Sequence, residues 1–567
     1  MRPLPNSAPA RAGARPAAPA GGHGPLGDAD RPVATTLAGV LDERARRHPR
    51  RPAVFHDGRT VSYGELRDAA RAVAASLLAL GVRRGDRVGV LLGNEPDWLA
   101  MAFGAAWIGA TCVPLNTWYK RDEIAWTLRH CGVRCFVSTD RILGQDFAGA
   151  VADLFPAMET AAQGELALEG FPELRAVAVL GDAPRGALDR DALRRLSLGV
   201  PGRVLDEALA AVRAEDIAFI LYTSGSTADP KGVTLAHGGV VANGWDMGVR
   251  RRVGPDDRVW LGSPLFYALG ATNALPVALT HGASLVLHGH FEAGRAIDAI
   301  ERTGATVWYG TGNMSRAVLD HPDYAYRRIA TLQKGSAGTM TEYKRMTLVE
   351  MRMTLACGAY GLTETYGQAT VHEADDPLEV KLHTNGRALP GMEIAIVDPS
   401  SGAPLRQGET GLVLVRGHTT PGYYRNEAEN ARTLRTDGWF DTGDLASLDT
   451  ESRLVFHARL KEVIKTGGIN VSPMEVEQLI ARHPGVKDAH VVGVPDPVRG
   501  QLIVAFVDTD APLDEQAIRA FVKERAAAFK VPHRVLFRTT DALPRLASGK
   551  VAKWRLVEEA GAVVGGG

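Results

Sequence analysis

The sequence predicts an α/β fold for a large N-terminal part and a small α+β domain at the C-terminal end. Three observations carry this reading. Strand-length apolar runs alternate with helical patterns from Thr36 to about Leu180, and a second such series runs from Ile217 to about Tyr366. Between Gly391 and Leu445 the pattern changes to short strands punctuated by glycine and proline. Alternation points to mainly parallel sheet covered by helices, and closely spaced short strands point to a small antiparallel unit.

In the first series, Pro52–Phe55 reads as a strand before a helix over Ser62–Leu80, and Arg87–Leu92 as a strand before a helix over Trp98–Ile108. In the β unit, Met392–Val397 and Gly411–Arg416 read as strands, with turns at Pro399–Gly402 and Pro421–Gly422. Beyond Arg459 the order is helix Pro473–Arg482, strands Ala489–Val494 and Gln501–Asp508, helix Asp514–Ala527 and strand Arg534–Arg538. Ser472 suits an N-cap, with Pro473 at the first helical position. The start of the chain is Pro, Ala, Gly and Arg without an apolar core, which reads as a disordered tail rather than a secretory signal. The expected organisation is a tail over 1–32, a large part over 33–459 and a small domain over 460–567.

Composition narrows the function classes. The 567 residues carry 65 Lys+Arg against 65 Asp+Glu, with 45% hydrophobic and 23% charged residues. Those are values of a folded protein, and the zero balance argues against a general basic footprint for nucleic acid or anionic membrane. The stretches Trp98–Tyr119 and Val259–Phe291 lack charges but are broken by glycine and proline, so helix-then-strand in a buried core is expected and no membrane span. Cys131 and Cys135 stand four apart without a second pair, which is not a zinc arrangement. Together with Cys112 and Cys357 they read as buried reduced thiols, which suits a cytoplasmic location.

The chemistry begins after the apolar run Ile217–Tyr222, with Thr223-Ser224-Gly225-Ser226-Thr227-Ala228-Asp229-Pro230-Lys231-Gly232. Glycines let the backbone approach an anion, hydroxyls donate hydrogen bonds and a lysine neutralises charge, as a polyphosphate requires. The spacing is not that of the common phosphoryl-transfer loop. Taken alone, such a stretch is more often an ordinary strand-to-helix turn.

Further segments follow in order: Val61-Ser62-Tyr63-Gly64-Glu65-Leu66, Tyr360-Gly361-Leu362-Thr363-Glu364-Thr365, Gly438-Trp439-Phe440-Asp441-Thr442-Gly443-Asp444, Arg459 with Lys461, Gly467-Gly468, and Pro544 through Ser548-Gly549-Lys550. Over about Thr36 to Leu556 the chain thereby resembles the adenylate-forming (ANL) superfamily of acyl-CoA synthetases, carrier-loading adenylation domains and firefly luciferases. The resemblance implies two α/β subdomains plus a small β-barrel, followed by a small mobile α+β domain. It implies that a carboxylate attacks the α-phosphate of ATP, giving an acyl adenylate and pyrophosphate, and that a thiol then displaces AMP. Charge must shift to the leaving pyrophosphate, so positioning and electrostatic stabilisation dominate such a reaction.

By the same resemblance, Thr223, Ser224, Gly225, Ser226, Thr227 and Lys231 would hold the β- and γ-phosphates. Gly335, Ser336, Ala337, Gly358, Ala359 and Tyr360 would line the adenine site, and Asp444 would accept from the ribose hydroxyls. Arg459 would support the ribose and phosphate side, and Thr363 and Glu364 would sit at the α-phosphate, the latter ligating Mg2+. Lys550 would approach the reacting carboxylate, whereas Gly467 and Gly468 would face the pantetheine tunnel of coenzyme A. One rigid domain does not present both surfaces to one site at once, so a hinge near Lys461 is expected to rotate it between steps.

The acyl group is constrained by what is absent. Amino-acid-activating relatives place an aspartate where this chain has Tyr267, and burying an unpaired ammonium would be costly. Acetyl-activating relatives carry a tryptophan where this chain has Gly361, so a larger acid is expected, medium-to-long aliphatic or alicyclic. Tyr267, Leu269, Asn273, Gly338 and Gly361 are the expected pocket residues. The chain departs from the family pattern at Tyr267, where many relatives have histidine, and at Ala228 and Ala458, where glycine is usual; an alanine is tolerated where φ stays negative. Two other functions remain open from sequence: a ligase loading a carrier-protein thiol, and a catalytically weak nucleotide-binding scaffold.

Overall fold

In a computed structural model the described residues are 27, 30–160, 166–223, 230–466, 469–496, 499–510, 512–526, 528–545 and 551–565. The expected N-terminal tail falls almost wholly outside them. Two large sheets organise the N-terminal part. A seven-stranded sheet runs in the order Gly422–Tyr423, Lys231–Ala236, Ile217–Thr223, Thr111–Pro114, Arg87–Leu91, Cys135–Thr139, Ala176–Leu180. Its strands are parallel from Ile217–Thr223 onward, and the first two join antiparallel. A nine-stranded sheet runs Arg387–Ala388, Thr370–Val371, Cys357–Tyr360, Lys334–Gly338, Val307–Tyr309, Arg258–Leu261, Ser284–Leu287, Pro52–His56, Arg59–Ser62. It is parallel in the middle and antiparallel at both ends.

The two α/β series do not each supply their own sheet. Pro52–His56, from the first series, pairs in parallel with Ser284–Leu287 in the second sheet, and Ile217–Thr223 pairs in parallel with Thr111–Pro114 in the first. Strands covered on both faces all read as continuous apolar runs, so the local pattern does not say which sheet takes them.

The segment Val61–Leu66 is structural. Ser62 caps the helix Tyr63–Ala79: its hydroxyl accepts from the Glu65 amide, while the Glu65 carboxylate accepts from the Ser62 amide at 2.8 Å. The buried Tyr63 donates to the Ala283 carbonyl at 2.6 Å, and a Cβ on Gly64 would lie 2.9 Å from the Pro49 carbonyl oxygen. These residues fix the start of one helix against the second sheet.

The charge-free stretches resolve as helix then strand. Pro96–Trp107 leads to Thr111–Pro114, and Leu275–His281 leads to Ser284–Leu287. Among the described residues no helix is long and apolar enough to cross a membrane. All four cysteines are free and buried.

The small β unit is a four-stranded antiparallel sheet in the order Glu393–Val397, Gly411–Arg416, Phe440–Leu448, Leu454–Arg459. The 3-10 turn Leu460–Glu462, which contains Lys461, leads into the C-terminal domain. There Val486–Asp496 and Gly500–Thr509 form a long antiparallel pair. Period-2 alternation gives this pair two apolar faces. Val491, Ile503, Ala505 and Val507 pack with the helices Pro473–Ile480 and Glu515–Arg525, while Val492, Val494, Val504 and Phe506 pack with Lys553–Gly565. Ser472 caps the first of these helices as expected, accepting from the Glu475 amide.

Candidate active site

The strand Cys357–Tyr360 lies beside Lys334–Gly338 in the second sheet, with Ser336 opposite Cys357 and Gly338 opposite Gly358. Both expected adenine segments, Gly335–Ala337 and Gly358–Tyr360, therefore end side by side. Gly335 has φ +120°, and a Cβ there would fall 2.2 Å from the Trp308 carbonyl oxygen, so only glycine lets Lys334–Gly338 close up on its other neighbour, Val307–Tyr309. The Thr339 hydroxyl donates to the Ala359 carbonyl at 2.8 Å. Behind them, the ammonium of buried Lys344 donates to the Thr384 carbonyl at 2.5 Å, and burial brings its pKa down to about 7.

Tyr360 connects this edge to the β unit. Its hydroxyl donates to Asp444 Oδ2 at 2.8 Å, and its ring stacks on Phe456 with centroids 5.7 Å apart. Asp444 and Arg459 are direct cross-strand partners, and Arg459 Nε lies 2.9 Å from Asp444 Oδ1. That contact is an ion pair not aligned as a hydrogen bond, and among the described residues Oδ1 is a buried acceptor with no hydrogen-bond donor. Burial raises the Asp444 carboxyl to about 6, against the opposing pull of Arg459. A buried acceptor without a donor calls for one from outside, and ligand hydroxyls would supply it.

Glu364 sits in the 3-10 turn Thr363–Thr365. Its Oε1 accepts from the Tyr423 hydroxyl at 2.7 Å, and its backbone carbonyl accepts from the Thr420 amide at 2.6 Å. Among the described residues no group of three or more His, Cys, Asp or Glu side chains could hold a metal ion by itself. One carboxylate and a neighbouring threonine hydroxyl suit a Mg2+ that arrives with ATP, because that ion keeps waters and takes phosphate oxygens along with one or two carboxylates.

Lys231 opens the strand Lys231–Ala236, which pairs back on Ile217–Thr223 with Lys231 opposite Thr223. Residues Ser224 to Thr227, with Ala228, lie outside the described residues. The Lys231 ammonium is 2.5 Å from Glu429 Oε1 and 5.7 Å from the centre of the Tyr423 ring. Hydrogen bonds from Arg432 and Lys231 hold the Glu429 carboxyl down at about 2, against the effect of burial. Tyr423, Glu429 and Arg432 were not anticipated from sequence.

Gly467, Gly468 and Lys550 also lie outside the described residues. The strands Ile464–Thr466 and Ile469–Val471 on either side of the glycine pair are antiparallel, with Thr466 opposite Ile469. Ala458 sits in a strand without positive φ, so its methyl adds no backbone strain. The neighbouring His457 is tied to Ser447 across the hairpin at 2.9 Å.

Of the expected acyl-pocket residues, Tyr267 is half-buried, accepts from the Asn116 amide at 3.2 Å and packs on Phe266 and Trp118. Leu269 opens the π-turn Leu269–Ala274. Asn273 is buried with its amide committed: it donates to the Ala268 and Tyr366 carbonyls and accepts from Gln368 at 3.0 Å. Gly338 has φ +77° and abuts Tyr343. Gly361 is a close-approach glycine, since a Cβ there would lie 2.4 Å from Gln368 Cα.

Comparison with known proteins identifies the family. The family model of the AMP-binding enzyme matches residues 41–424, and that of the AMP-binding enzyme C-terminal domain matches residues 475–550. The chain is 33% identical over 530 residues to the 3-[(3aS,4S,7aS)-7a-methyl-1,5-dioxo-octahydro-1H-inden-4-yl]propanoyl:CoA ligase of Mycobacterium tuberculosis, covering 92% of this chain and 98% of that one. It is 30% identical to the mitochondrial medium-chain acyl-CoA ligase ACSF2 of Rattus norvegicus over 557 residues, 93% of this chain and 88% of the relative. Among solved structures, ATP-bound MatB from Rhodopseudomonas palustris superposes with a TM-score of 0.80 at 26% identity, covering 93% of this chain and 99% of that one. With a family model matched over most of its length and relatives aligned nearly end to end, the chain belongs to the AMP-binding enzyme family, within the adenylate-forming superfamily that its ordered motifs resemble.

Proposed function

We propose that the protein is an ATP- and Mg2+-dependent acid–thiol ligase. It converts a medium-to-long aliphatic or alicyclic carboxylic acid to an acyl adenylate and then to an acyl-CoA, releasing pyrophosphate and AMP. The observation that carries this reading is the Tyr360–Asp444–Arg459 constellation, which presents a buried acceptor without a donor beside the two glycine-rich strand ends. The two relatives named above act, by their names, on a medium-chain acid and on an alicyclic propanoate. They support both the thiol and the size of the acid.

In this reading the chain's residues divide the work. Gly335–Ala337 and Gly358–Tyr360 receive the adenine, Asp444 takes the ribose hydroxyls and Arg459 neutralises the phosphate side. Thr223–Thr227 and Lys231 hold the β- and γ-phosphates, so that charge moving to the leaving pyrophosphate meets fixed donors. Thr363 and Glu364 hold Mg2+, which supplies neutralisation of the phosphate oxygens. Lys550 orients the attacking carboxylate, Tyr267, Leu269, Asn273, Gly338 and Gly361 bound the acyl group, and Gly467–Gly468 admit the pantetheine. The division into 33–459 and 460–567 with a hinge at Lys461 belongs to this reading, as does a cytoplasmic location.

ATP–pyrophosphate exchange over a panel of carboxylic acids tests it. Exchange should be strongest with medium-chain and alicyclic acids, and coenzyme A should then discharge the adenylate. Absence of exchange with every acid would leave a nucleotide-binding scaffold. Discharge by a carrier-protein thiol alone would replace coenzyme A as acceptor.

A further inference from the structure

Lys231 and Glu429 lie 198 positions apart in sequence, yet they meet at 2.5 Å with side chains only 12% and 13% exposed. Glu429 does not need the lysine. Its Oε1 also takes Arg432 Nη2 at 2.6 Å, and its Oε2 takes Arg432 Nε at 3.0 Å, a bidentate pair complete in itself. Lys231, by contrast, has in Glu429 its ion-pair partner among the described residues, and its other neighbour is the Tyr423 ring.

We propose that Glu429 is a positioning residue that holds the Lys231 ammonium as an internal substitute for the ATP triphosphate, with Arg432 keeping the carboxylate neutralised when Lys231 turns to the nucleotide. The inference rests on the reading of Lys231 as a β- and γ-phosphate ligand given above. A half-buried ammonium without a partner would be poorly solvated, and the carboxylate removes that cost before ATP arrives. The exchange is shallow because Glu429 is never left without a cation. The scaffold is firm: Asn430 accepts from the Tyr423 amide at 2.6 Å and donates to the Tyr423 carbonyl at 3.0 Å, and Gly422–Tyr423 pairs with the strand bearing Lys231. The helix Glu427–Thr433 is thereby tied to the lysine it restrains. Tyr423 then relays the arrangement onward, because its hydroxyl donates to Glu364.

Titration calorimetry of the full chain with ATP and, separately, with AMP tests the proposal. Glu429→Gln removes the competing charge, so ATP should bind at least about fivefold more tightly, fivefold being the upper end for an exposed ion pair and this pair being more enclosed, while AMP affinity stays unchanged. Arg432→Gln leaves Lys231 as the sole partner of the carboxylate, so ATP should bind about fivefold more weakly, again without effect on AMP. Unchanged or weaker ATP binding by Glu429→Gln, or a parallel change in AMP, overturns the proposal. Should Glu429→Gln fail to fold, the opposite-signed Arg432→Gln result decides alone. None of these isotherms requires an acid. Loss of pyrophosphate exchange in the unmodified protein would therefore sink the ligase reading, whereas normal exchange with an unmoved ATP affinity in the variants would sink only this one.

Discussion

Asp444 and Arg459 stand opposite one another in a single antiparallel register, so that one pair of strands delivers a buried carboxylate and its guanidinium to the same point, 2.9 Å apart. The guanidinium is half exposed while the carboxylate is 2% exposed, so the anion is the member that depends on its surroundings.

If Asp444 takes the ribose hydroxyls as proposed, its raised carboxyl makes nucleotide binding pH-dependent. It titrates at about 6, so ATP affinity is expected to fall as pH drops from 7 through 6, when the acceptor for the ribose hydroxyls is protonated. Calorimetric ATP titrations between pH 5 and 8 check this, and a flat profile in that window would contradict it.

Stability moves the other way. A carboxyl with a folded pKa above its unfolded value favours folding at low pH, and that contribution is lost as pH rises through about 6. The melting temperature of Asp444→Asn relative to the unmodified protein should therefore be more favourable at pH 7 than at pH 5, while its ATP affinity falls at pH 7 and changes little at pH 5, where the unmodified carboxyl is already protonated. Paired thermal melts measure the difference.

Lys550→Ala should lower acyl-adenylate formation by about 10²–10³, the usual cost of removing a preorganised donor. Thioester formation from supplied acyl adenylate should be largely retained. Equal loss in both half-reactions would refute a division of labour between Lys550 and Gly467–Gly468.

Ser62→Ala removes a helix cap far from the chemistry. It should cost about 1 kcal/mol of stability and leave pyrophosphate exchange per folded molecule unchanged. A loss of exchange without a loss of stability would return the Val61–Leu66 motif to the active site.

Gly361→Ala puts a methyl against Gln368 Cα, which cannot move aside as a flexible side chain would. It should destabilise by about 1–3 kcal/mol and shift the preference among acids, read as a lower melting temperature together with a changed ratio of exchange rates across the acid panel.

Much of this was legible in sequence because chemistry restricts residue type. Asp444, Arg459, Tyr360 and Glu364 stand in motifs whose neighbours leave few alternatives, and the fold brings Tyr360, Asp444 and Arg459 into contact. The helices Tyr63–Ala79 and Glu515–Arg525 were visible from their apolar pattern, to within a residue or two at each end. Glu429 and Arg432 were not, because an acid and a base three apart on a short helix read as an ordinary surface pair. Only the fold brings Lys231 to them. The close backbone approach at Gly361 was also hidden, since a glycine that permits such an approach looks the same in sequence as one that leaves space for a ligand. Sheet membership was illegible for Pro52–His56 and Ile217–Thr223, whose apolar runs fit either sheet equally.

That exchange of strands has a bearing on biogenesis. The stretch near residue 52 leaves the ribosome long before Ser284–Leu287, the neighbour it lies against, has been translated, and the seven-stranded sheet must likewise await Lys231–Ala236 and Gly422–Tyr423. The halves of the N-terminal part are thus interlocked. A truncation after the first series would strand unpaired edges in both sheets and yield an aggregating fragment, not a smaller working module.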